Sequence, residues 1–216
     1  MIEDWAQERR AELCEHLLYE NAALPLPDDV DLLVVMGGPM SVHDEAQYSW
    51  LAREKAFIRD ILSLGRPVLG VCLGAQLLAE ALGGTVARQE HTEIGWFPVM
   101  SNAHSLPFPW PDEVTVFHWH SETFTTPPDA VTLCGSRACA NQGFVWKDRA
   151  VGLQFHLEMK PANVDAILMN CSQDVVDGPH IQPADDMRAI APAQSQRLRE
   201  LLFCILDALS IARRGH

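Results

Sequence analysis

Residues 68–76 read Val-Leu-Gly-Val-Cys-Leu-Gly-Ala-Gln, a short apolar run that leads into a cysteine between two glycines. The run 68–71 is typical of a strand buried on both faces of a parallel sheet, and a helix is expected from Gly74 to Leu82. A Gly-x-Cys-x-Gly turn has the layout of the nucleophile elbow, in which glycines relieve crowding around a strained central residue. The thiol of Cys72 is therefore predicted to project at the sheet edge, beside a helix N-terminus that favours thiolate.

Two further apolar runs end in residues that can take part in catalysis. Residues 32–36 are followed by Gly37-Gly38-Pro39, and residues 151–155 run into His156, with Glu158 close behind. In extended geometry His156 and Glu158 project from the same face, so the carboxylate can orient the imidazole as a base. The alternation of strands and helices predicts a three-layer, mostly parallel α/β sheet flanked by helices, with all three motifs at the carboxyl ends of strands.

The remaining segments are expected to complete a single domain over residues 1–216. Past Thr85, short β-type pieces between prolines predict a small β-rich insertion on the sheet. Residues 179–192 are polar and contain prolines, so they are expected to form a loop. A final amphipathic helix is predicted at about 194–213, because its leucines and isoleucines recur on one face.

Composition excludes several classes of function. The chain has 29 acidic and 16 basic residues and a formal net charge of -13, so neither a nucleic acid nor an anionic membrane is an expected partner. None of the six cysteines forms a C-x-x-C pair, which disfavours a zinc site or a dense disulfide framework. We find no apolar stretch of signal-peptide or membrane-spanning length, and we expect a cytoplasmic protein.

Each motif taken alone has a less specific interpretation. A free cysteine such as Cys72 is often a small buried hydrophobe, a histidine such as His156 is more often a satisfied polar group, and Gly-Gly-Pro is commonly a simple turn. His118 and His120 could bind a metal from alternate positions of one strand. We expect no third ligand of suitable spacing, and therefore no metal. The combination of Cys72, His156 and Glu158 favours catalysis.

Three motifs together resemble the class I glutamine amidotransferase domain. They are GVCLGAQ at residues 70–76, GLQFHLE at 152–158 and MGGPM at 36–40. Their order and spacing match as well, and the resemblance extends from about Asp31 to Met159. It implies the flavodoxin-like α/β fold of that family, with a Cys-His-Glu triad.

The resemblance also implies a role for each site residue. Cys72 would attack the side-chain amide of glutamine, His156 would pass a proton to the departing ammonia, and Glu158 would orient His156. Water would then cleave the glutamyl thioester. The backbone amides of Gly38 and Leu73 would form the oxyanion hole. The substrate-binding residues implied are Gln76, Trp119, His120, Ser121 and Glu122.

The sequence departs from the family pattern at two places. Leu157 stands where the family usually has proline, which removes a stiff residue between base and carboxylate. The family domain normally opens with an apolar strand, whereas Ile2–Glu12 already resembles the first helix. A strand near Glu12–Tyr19 would then lack its partner and leave an exposed edge.

Three functions are compatible with these observations. The first is hydrolysis of glutamine, either alone or as the glutaminase component of a separate synthetase, because the chain contains no G-x-x-x-x-G-K-[ST] loop of its own for nucleotide activation. The second is hydrolysis of γ-glutamyl peptides or conjugates, which requires the same thioester. The third is a binding or regulatory module, against which the intact set of Cys72, His156 and Glu158 argues. None of the three requires a cofactor.

Overall fold

The computed structural model describes residues 1–103 and 105–212. The strands are β1 (Leu33–Val35), β2 (Val68–Val71), β3 (Val86–Ser101), β4 (Glu113–Phe124), β5 (Ala130–Gly135), β6 (Gly143–Trp146) and β7 (Ala150–Leu153). The α-helices are α1 (Ile2–Arg9), α2 (Trp50–Ser63), α3 (Leu73–Ala81), α4 (Pro161–Asn170) and α5 (Ala184–Ala212). Short 3₁₀ turns occupy Leu18–Glu20, Pro27–Asp29, Asp44–Ala46 and Ser172–Asp174.

The strands form one sheet in the order β1-β2-β7-β6-β5-β3-β4. The α/β fold predicted from the sequence is confirmed. Parallel pairing is confined to β1, β2 and β7, and the other four pairings are antiparallel, so the sheet is mixed where a mostly parallel one was expected. The reason is that short connections join β5 to β6 and β6 to β7, and a short connection permits only antiparallel pairing.

Helices cover both faces of the sheet and make the expected three layers. Helices α1, α4 and α5 pack into one apolar cluster, and α2 and α3 pack into the other. Helix α2 shows why: Leu51, Ile58 and Ile61 recur at helical spacing and are all buried. Burial of each such side chain stabilises the folded state by about 1.5–3 kcal/mol. This packing holds the helices in place beside the carboxyl ends of β2 and β7.

Helix α5 begins ten residues earlier than predicted, at Ala184 in place of about 194. The polar segment 179–192 was expected to be a loop, yet its second half is helical. Met187 and Ala191 are buried there, and the Met187 carbonyl accepts a hydrogen bond from Trp96 Nε1 at 2.9 Å. These contacts stabilise the helix and offset the loss of one backbone hydrogen bond at Pro192, which has no N–H group. The predicted helix end at residue 213 lies outside the described residues.

The N-terminal segment forms the predicted helix α1, but the strand expected near Glu12–Tyr19 does not form. Residues 11–17 are irregular and mostly exposed, and a 3₁₀ turn follows. A strand needs a neighbour for its backbone hydrogen bonds, and β1 pairs with β2 alone among the described residues. The sheet therefore ends at β1 on one side and at β4 on the other.

Within residues 1–103 and 105–212, none of the helices combines the length and apolar character needed to cross a membrane.

Candidate active site

Cys72 sits in a strained turn between β2 and α3, as the elbow motif predicts. Its backbone has φ 53° and ψ -111°, a conformation that L-residues rarely adopt. A Cβ atom on Gly74 would lie 2.0 Å from the Val35 carbonyl oxygen, and one on Gly70 would lie 2.5 Å from the Gly74 carbonyl oxygen. Only glycine fits at either position. The Cys72 amide donates to the Leu153 carbonyl at 2.7 Å, which ties the elbow to β7.

His156 and Glu158 follow the carboxyl end of β7, next to β2. The strand ends at Leu153, two residues before the end predicted from the apolar run 151–155. The His156 amide donates to the Phe117 carbonyl at 2.8 Å and so anchors the loop to β4. His156 Nδ1 lies 2.5 Å from Glu158 Oε1, and both Cys72 and His156 flank Gly37, where an added Cβ atom would lie 3.2 Å from Cys72 Cβ and 3.3 Å from His156 Cε1. The structure thus brings the three predicted catalytic side chains together.

The surroundings of His156 favour its protonated form. Burial acts to lower its pKa, but the neighbouring Glu158 carboxylate and Cys72 raise it more, so the net pKa is well above the ordinary value. The second carboxylate oxygen of Glu158 is buried and has no hydrogen-bond partner among the described residues. Among the described residues, the Glu158 carboxylate therefore forms its hydrogen bond with His156 through Oε1.

The glycine loop after β1 lies against the elbow. A Cβ atom on Gly37 would lie 3.2 Å from Cys72 Cβ and 3.3 Å from His156 Cε1. One on Gly38 would lie 3.0 Å from Leu73 Cδ2. Leu73 is the first residue of α3, so its amide is not used by the helical hydrogen bonds. The two amides assigned to the oxyanion hole therefore belong to residues that meet beside Cys72.

Gln76 bridges two other parts of the site. It is buried, and its Nε2 donates to the Glu122 carbonyl at 3.3 Å and to Gln154 Oε1 at 3.1 Å. Glu122 in turn accepts a hydrogen bond from Ser41 Oγ at 3.1 Å. The side-chain donors of Gln76 are thus occupied by protein groups, so this residue fixes the end of β4 relative to α3.

Gln154 also belongs to the site, although no role was predicted for it from the sequence. It is fully buried, and its Nε2 donates toward Cys72 Sγ at 3.9 Å. The sequence did contain a signal for it, since Gln154 is the first residue of the Q-F-H-x-E run and stands two positions before His156.

In the predicted segment 119–122, the backbone faces Cys72, whereas the side chains of Trp119 and His120 contact other residues. The Trp119 carbonyl faces Cys72 Sγ at 3.9 Å, while the indole Nε1 donates to Asp174 at 3.1 Å. Ser121 is half-buried. The imidazole of His120 is directed to another group of residues, because alternate side chains of a strand point to opposite faces. Its Nδ1 lies 3.1 Å from the Glu122 carbonyl and its Nε2 lies 3.5 Å from Glu93.

Glu93 lies beside His118 and His120 as a third potential metal ligand, although none was expected from the sequence. That expectation was wrong, because the register of β3 on β4 places Glu93 opposite His120. Ligand atoms of Glu93, His118 and His120 all lie within 4.8 Å of one another. Burial raises the pKa of Glu93, lowers the pKa of His120 to about 4 and lowers that of His118 well below its ordinary value. Both imidazoles are therefore neutral at neutral pH.

The sequence and the fold are similar to those of known proteins. A model of the class-I glutamine amidotransferase family matches residues 11–172. The glutamine amidotransferase-like protein YfeJ of Salmonella typhimurium is 30% identical over 96% of this chain and 90% of its own length. A glutamine amidotransferase structure from Methylobacillus flagellatus has a TM-score of 0.92 at 30% identity, covering 100% of this chain and 91% of that one.

Similarity also extends to part of the GMP synthases. A glutamine-hydrolysing GMP synthase subunit from Thermoplasma acidophilum is 33% identical over 62% of this chain and 66% of its own length. The full-length GMP synthases are longer, and this chain spans 24% of their length. A family match over most of the chain, together with a relative of similar length, establishes the relationship. The chain belongs to the class-I glutamine amidotransferase family.

Proposed function

We propose that this protein hydrolyses the side-chain amide of glutamine through a glutamyl thioester on Cys72. The observation that supports this most directly is that Cys72 and His156 lie together beside Gly37, while His156 Nδ1 lies 2.5 Å from Glu158 Oε1. A nucleophile, a base and an orienting carboxylate in this order are the parts that amide cleavage by a thiol requires. Family membership supports the same reaction class.

Acylation begins with the Cys72 thiolate. The sulfur attacks the amide carbon of the substrate, and the negative charge that develops on the carbonyl oxygen is stabilised by the backbone amides of Gly38 and Leu73. Protonated His156 donates its proton to the amide nitrogen. The carbon–nitrogen bond then breaks, ammonia leaves, and the acyl group stays on the sulfur as a thioester.

Deacylation uses the same groups in reverse roles. His156 is neutral after it has lost its proton, and it accepts a proton from a water molecule that attacks the thioester carbon. The carbon–sulfur bond breaks and glutamate is released. The Cys72 thiolate and the His156 imidazolium are regenerated, so the cycle needs only water as a co-reactant and no cofactor.

Recognition of the substrate is assigned to the segment that faces the sulfur. The backbone of Trp119, Ser121 and Glu122 lies in the second half of β4. Gln76 and Ser41 both donate hydrogen bonds to Glu122 and hold the segment in place. We propose that this backbone binds the amino-acid portion of a γ-glutamyl group. In this arrangement Gln76 acts by positioning the segment, and the His120 imidazole takes no part in it.

Two other functions share this site. Hydrolysis of γ-glutamyl peptides or conjugates would use the same thioester. Alternatively, a separate synthetase could receive the ammonia, as the name of the Thermoplasma GMP synthase subunit suggests for that relative. A binding module without catalysis would need neither the elbow strain nor the His156–Glu158 pair. The intact triad favours an enzyme.

The test measures ammonia release from glutamine beside release of amine from γ-glutamyl peptides and from unrelated amides. Wild type should act on γ-glutamyl substrates, and Cys72→Ala should lose about 10⁴-fold or more in kcat while still binding glutamine in calorimetry. Cys14→Ala is the matched control, because Cys14 is exposed and lies in the irregular N-terminal segment. Full activity in both Cys72→Ala and His156→Ala, or equal hydrolysis of unrelated amides, would contradict the proposal.

A further inference from the structure

A second group of chemically active side chains lies on the face of β4 opposite to the Trp119 side chain. It comprises Glu93 of β3 and His118 and His120 of β4, and we call it the Glu93 cluster. The exposed fractions of these residues are 1%, 0% and 6%, respectively. A carboxylate and two imidazoles buried together need a partner charge or a proton between them, since isolated charged or polar groups are costly in the interior.

The hydrogen bonds of the two imidazoles determine which ring nitrogens are protonated. His118 Nε2 lies 3.4 Å from the Phe97 carbonyl, and His120 Nδ1 lies 3.1 Å from the Glu122 carbonyl. A carbonyl oxygen only accepts, so each of these nitrogens carries the ring proton. The other nitrogen of each ring then offers a lone pair, and these two nitrogens face each other 3.4 Å apart.

Two lone pairs and a carboxylate oxygen therefore converge on one point. His120 Nε2 is 3.5 Å from Glu93 Oε2, and the ligand atoms of all three residues lie within 4.8 Å of one another. Glu93 is itself oriented by Ser136 Oγ at 2.8 Å and by Gln142 Nε2 at 2.5 Å. Ser136 binds Oε1, the oxygen of Glu93 that is turned away from His120, whereas Gln142 donates to Oε2 itself. Hydrogen bonds that orient a ligand from outside are typical of protein metal sites.

The spacing distinguishes between kinds of ion. Donors about 2.0–2.1 Å from a tetrahedral zinc ion lie about 3.3–3.4 Å apart. Donors at right angles around a six-coordinate ion with similar bond lengths would lie about 2.9–3.0 Å apart. Two of the three separations, 3.4 and 3.5 Å, match the tetrahedral arrangement, and the donor atoms of His118 and Glu93 lie within 4.8 Å of each other.

We propose that Glu93, His118 and His120 bind one divalent transition-metal ion of the zinc type, through His118 Nδ1, His120 Nε2 and a Glu93 carboxylate oxygen. The ion is structural. It joins β3 to β4 directly behind the segment whose Trp119 carbonyl faces Cys72 and whose Glu122 carbonyl accepts from Gln76. It takes no part in amide hydrolysis, so the proposal stands independently of the proposed function.

The experiment uses the full chain with Cys72→Ser, because a thiolate beside His156 could itself bind zinc. After removal of metal with a chelator, zinc is added and binding is followed by calorimetry, elemental analysis and thermal melting. We expect one zinc per chain and a rise of about 5–10 °C in Tm when free zinc is 100 times Kd. Glu93→Gln and His120→Gln should lose both effects. His91→Gln should keep both, because His91 is a partly exposed residue of β3 near His180.

A spectroscopic measurement on the chain with all three ligands intact tests the proposal even if the ligand variants fail to fold. X-ray absorption of the zinc-loaded Cys72→Ser chain should show nitrogen and oxygen donors at about 2.0–2.1 Å, scattering from two imidazoles, and no sulfur at about 2.3 Å. Cobalt substitution should give ligand-field bands without a thiolate charge-transfer band. A sulfur donor, binding that survives in Glu93→Gln, or the lack of stoichiometric binding would each overturn the proposal and leave a proton as the group shared by the cluster.

Discussion

Gln154 donates a hydrogen bond from its side-chain amide toward Cys72 Sγ at 3.9 Å and accepts one from Gln76 at 3.1 Å. Gln154 directly follows β7, while Gln76 lies in the first turn of α3 beyond the elbow. The pair therefore connects the loop that carries His156 to the helix that begins at the nucleophile. Because Gln154 is fully buried, water cannot replace either contact.

We predict that Gln154→Met lowers the reactivity of Cys72 without unfolding the protein. Methionine has a similar length but no donor, so the thiolate loses one stabilising contact while Gln76 keeps its bond to Glu122. The cost should be about 1–3 kcal/mol, the range for a buried hydrogen-bonding group that loses its partner. The measurement is the rate of alkylation of Cys72 against pH in a Cys14→Ser background, where the exposed thiol is absent. The same pH dependence in Gln154→Met and the parent would contradict the assignment.

Glu158 sets the pH range in which His156 stays protonated. The carboxylate helps to raise the pKa of His156 above its ordinary value, so the proton needed by departing ammonia is present at neutral pH and is lost as pH rises through that raised pKa. In Glu158→Gln this raising influence disappears while burial still lowers the pKa. The alkaline limb of kcat/KM should therefore move to lower pH, and kcat at neutral pH should fall. The control is Glu113→Gln on the exposed start of β4, and an unmoved alkaline limb in Glu158→Gln would count against the role given to this residue.

Leu157 replaces the proline usual in the family, and it contributes to the core. It is 1% exposed and belongs to the larger apolar cluster. Leu157→Ala should lower the free energy of unfolding by about 2–5 kcal/mol, the usual cost of truncating a buried leucine. Leu26→Ala, at a leucine that is 69% exposed, should change it by less than about 0.5 kcal/mol. Urea denaturation of both variants gives the comparison, and similar costs at the two positions would show that Leu157 is not a core residue.

The triad was predictable because its geometry is encoded locally. Gly70 and Gly74 mark the strained turn at Cys72, and His156 and Glu158 are only two residues apart in the loop that directly follows β7. The Glu93 cluster was not predictable in the same way. Glu93 and His120 meet only through the register of two long strands, and local sequence patterns do not predict that register.

Tertiary packing also explains why two elements differ from their predictions. The proline at 192 argued for a loop, but Met187 and Ala191 are buried against the sheet and extend α5 toward its N-terminus. The strand expected near Glu12–Tyr19 does not form, and residues 11–17 are irregular and mostly exposed, so this segment buries little surface against the sheet. Propensity describes what a segment can form, whereas pairing and burial determine what it does form.

The strained backbone of Cys72 leads to a final prediction about stability. At φ 53° and ψ -111° a residue with a side chain is strained by about 1–3 kcal/mol, whereas glycine tolerates positive φ without that cost. Cys72→Gly should therefore be at least as stable as Cys72→Ala, although both lack the nucleophile. The opposite order is expected at Cys204, which lies inside α5, because glycine within a helix is less stable than alanine by about 0.5–1 kcal/mol. Thermal and urea denaturation of the four variants measures both differences. If glycine is the less stable residue at both positions, the elbow stores no backbone strain, and the orientation of the Cys72 sulfur must then be explained by its contacts with Trp119 and Gln154 alone.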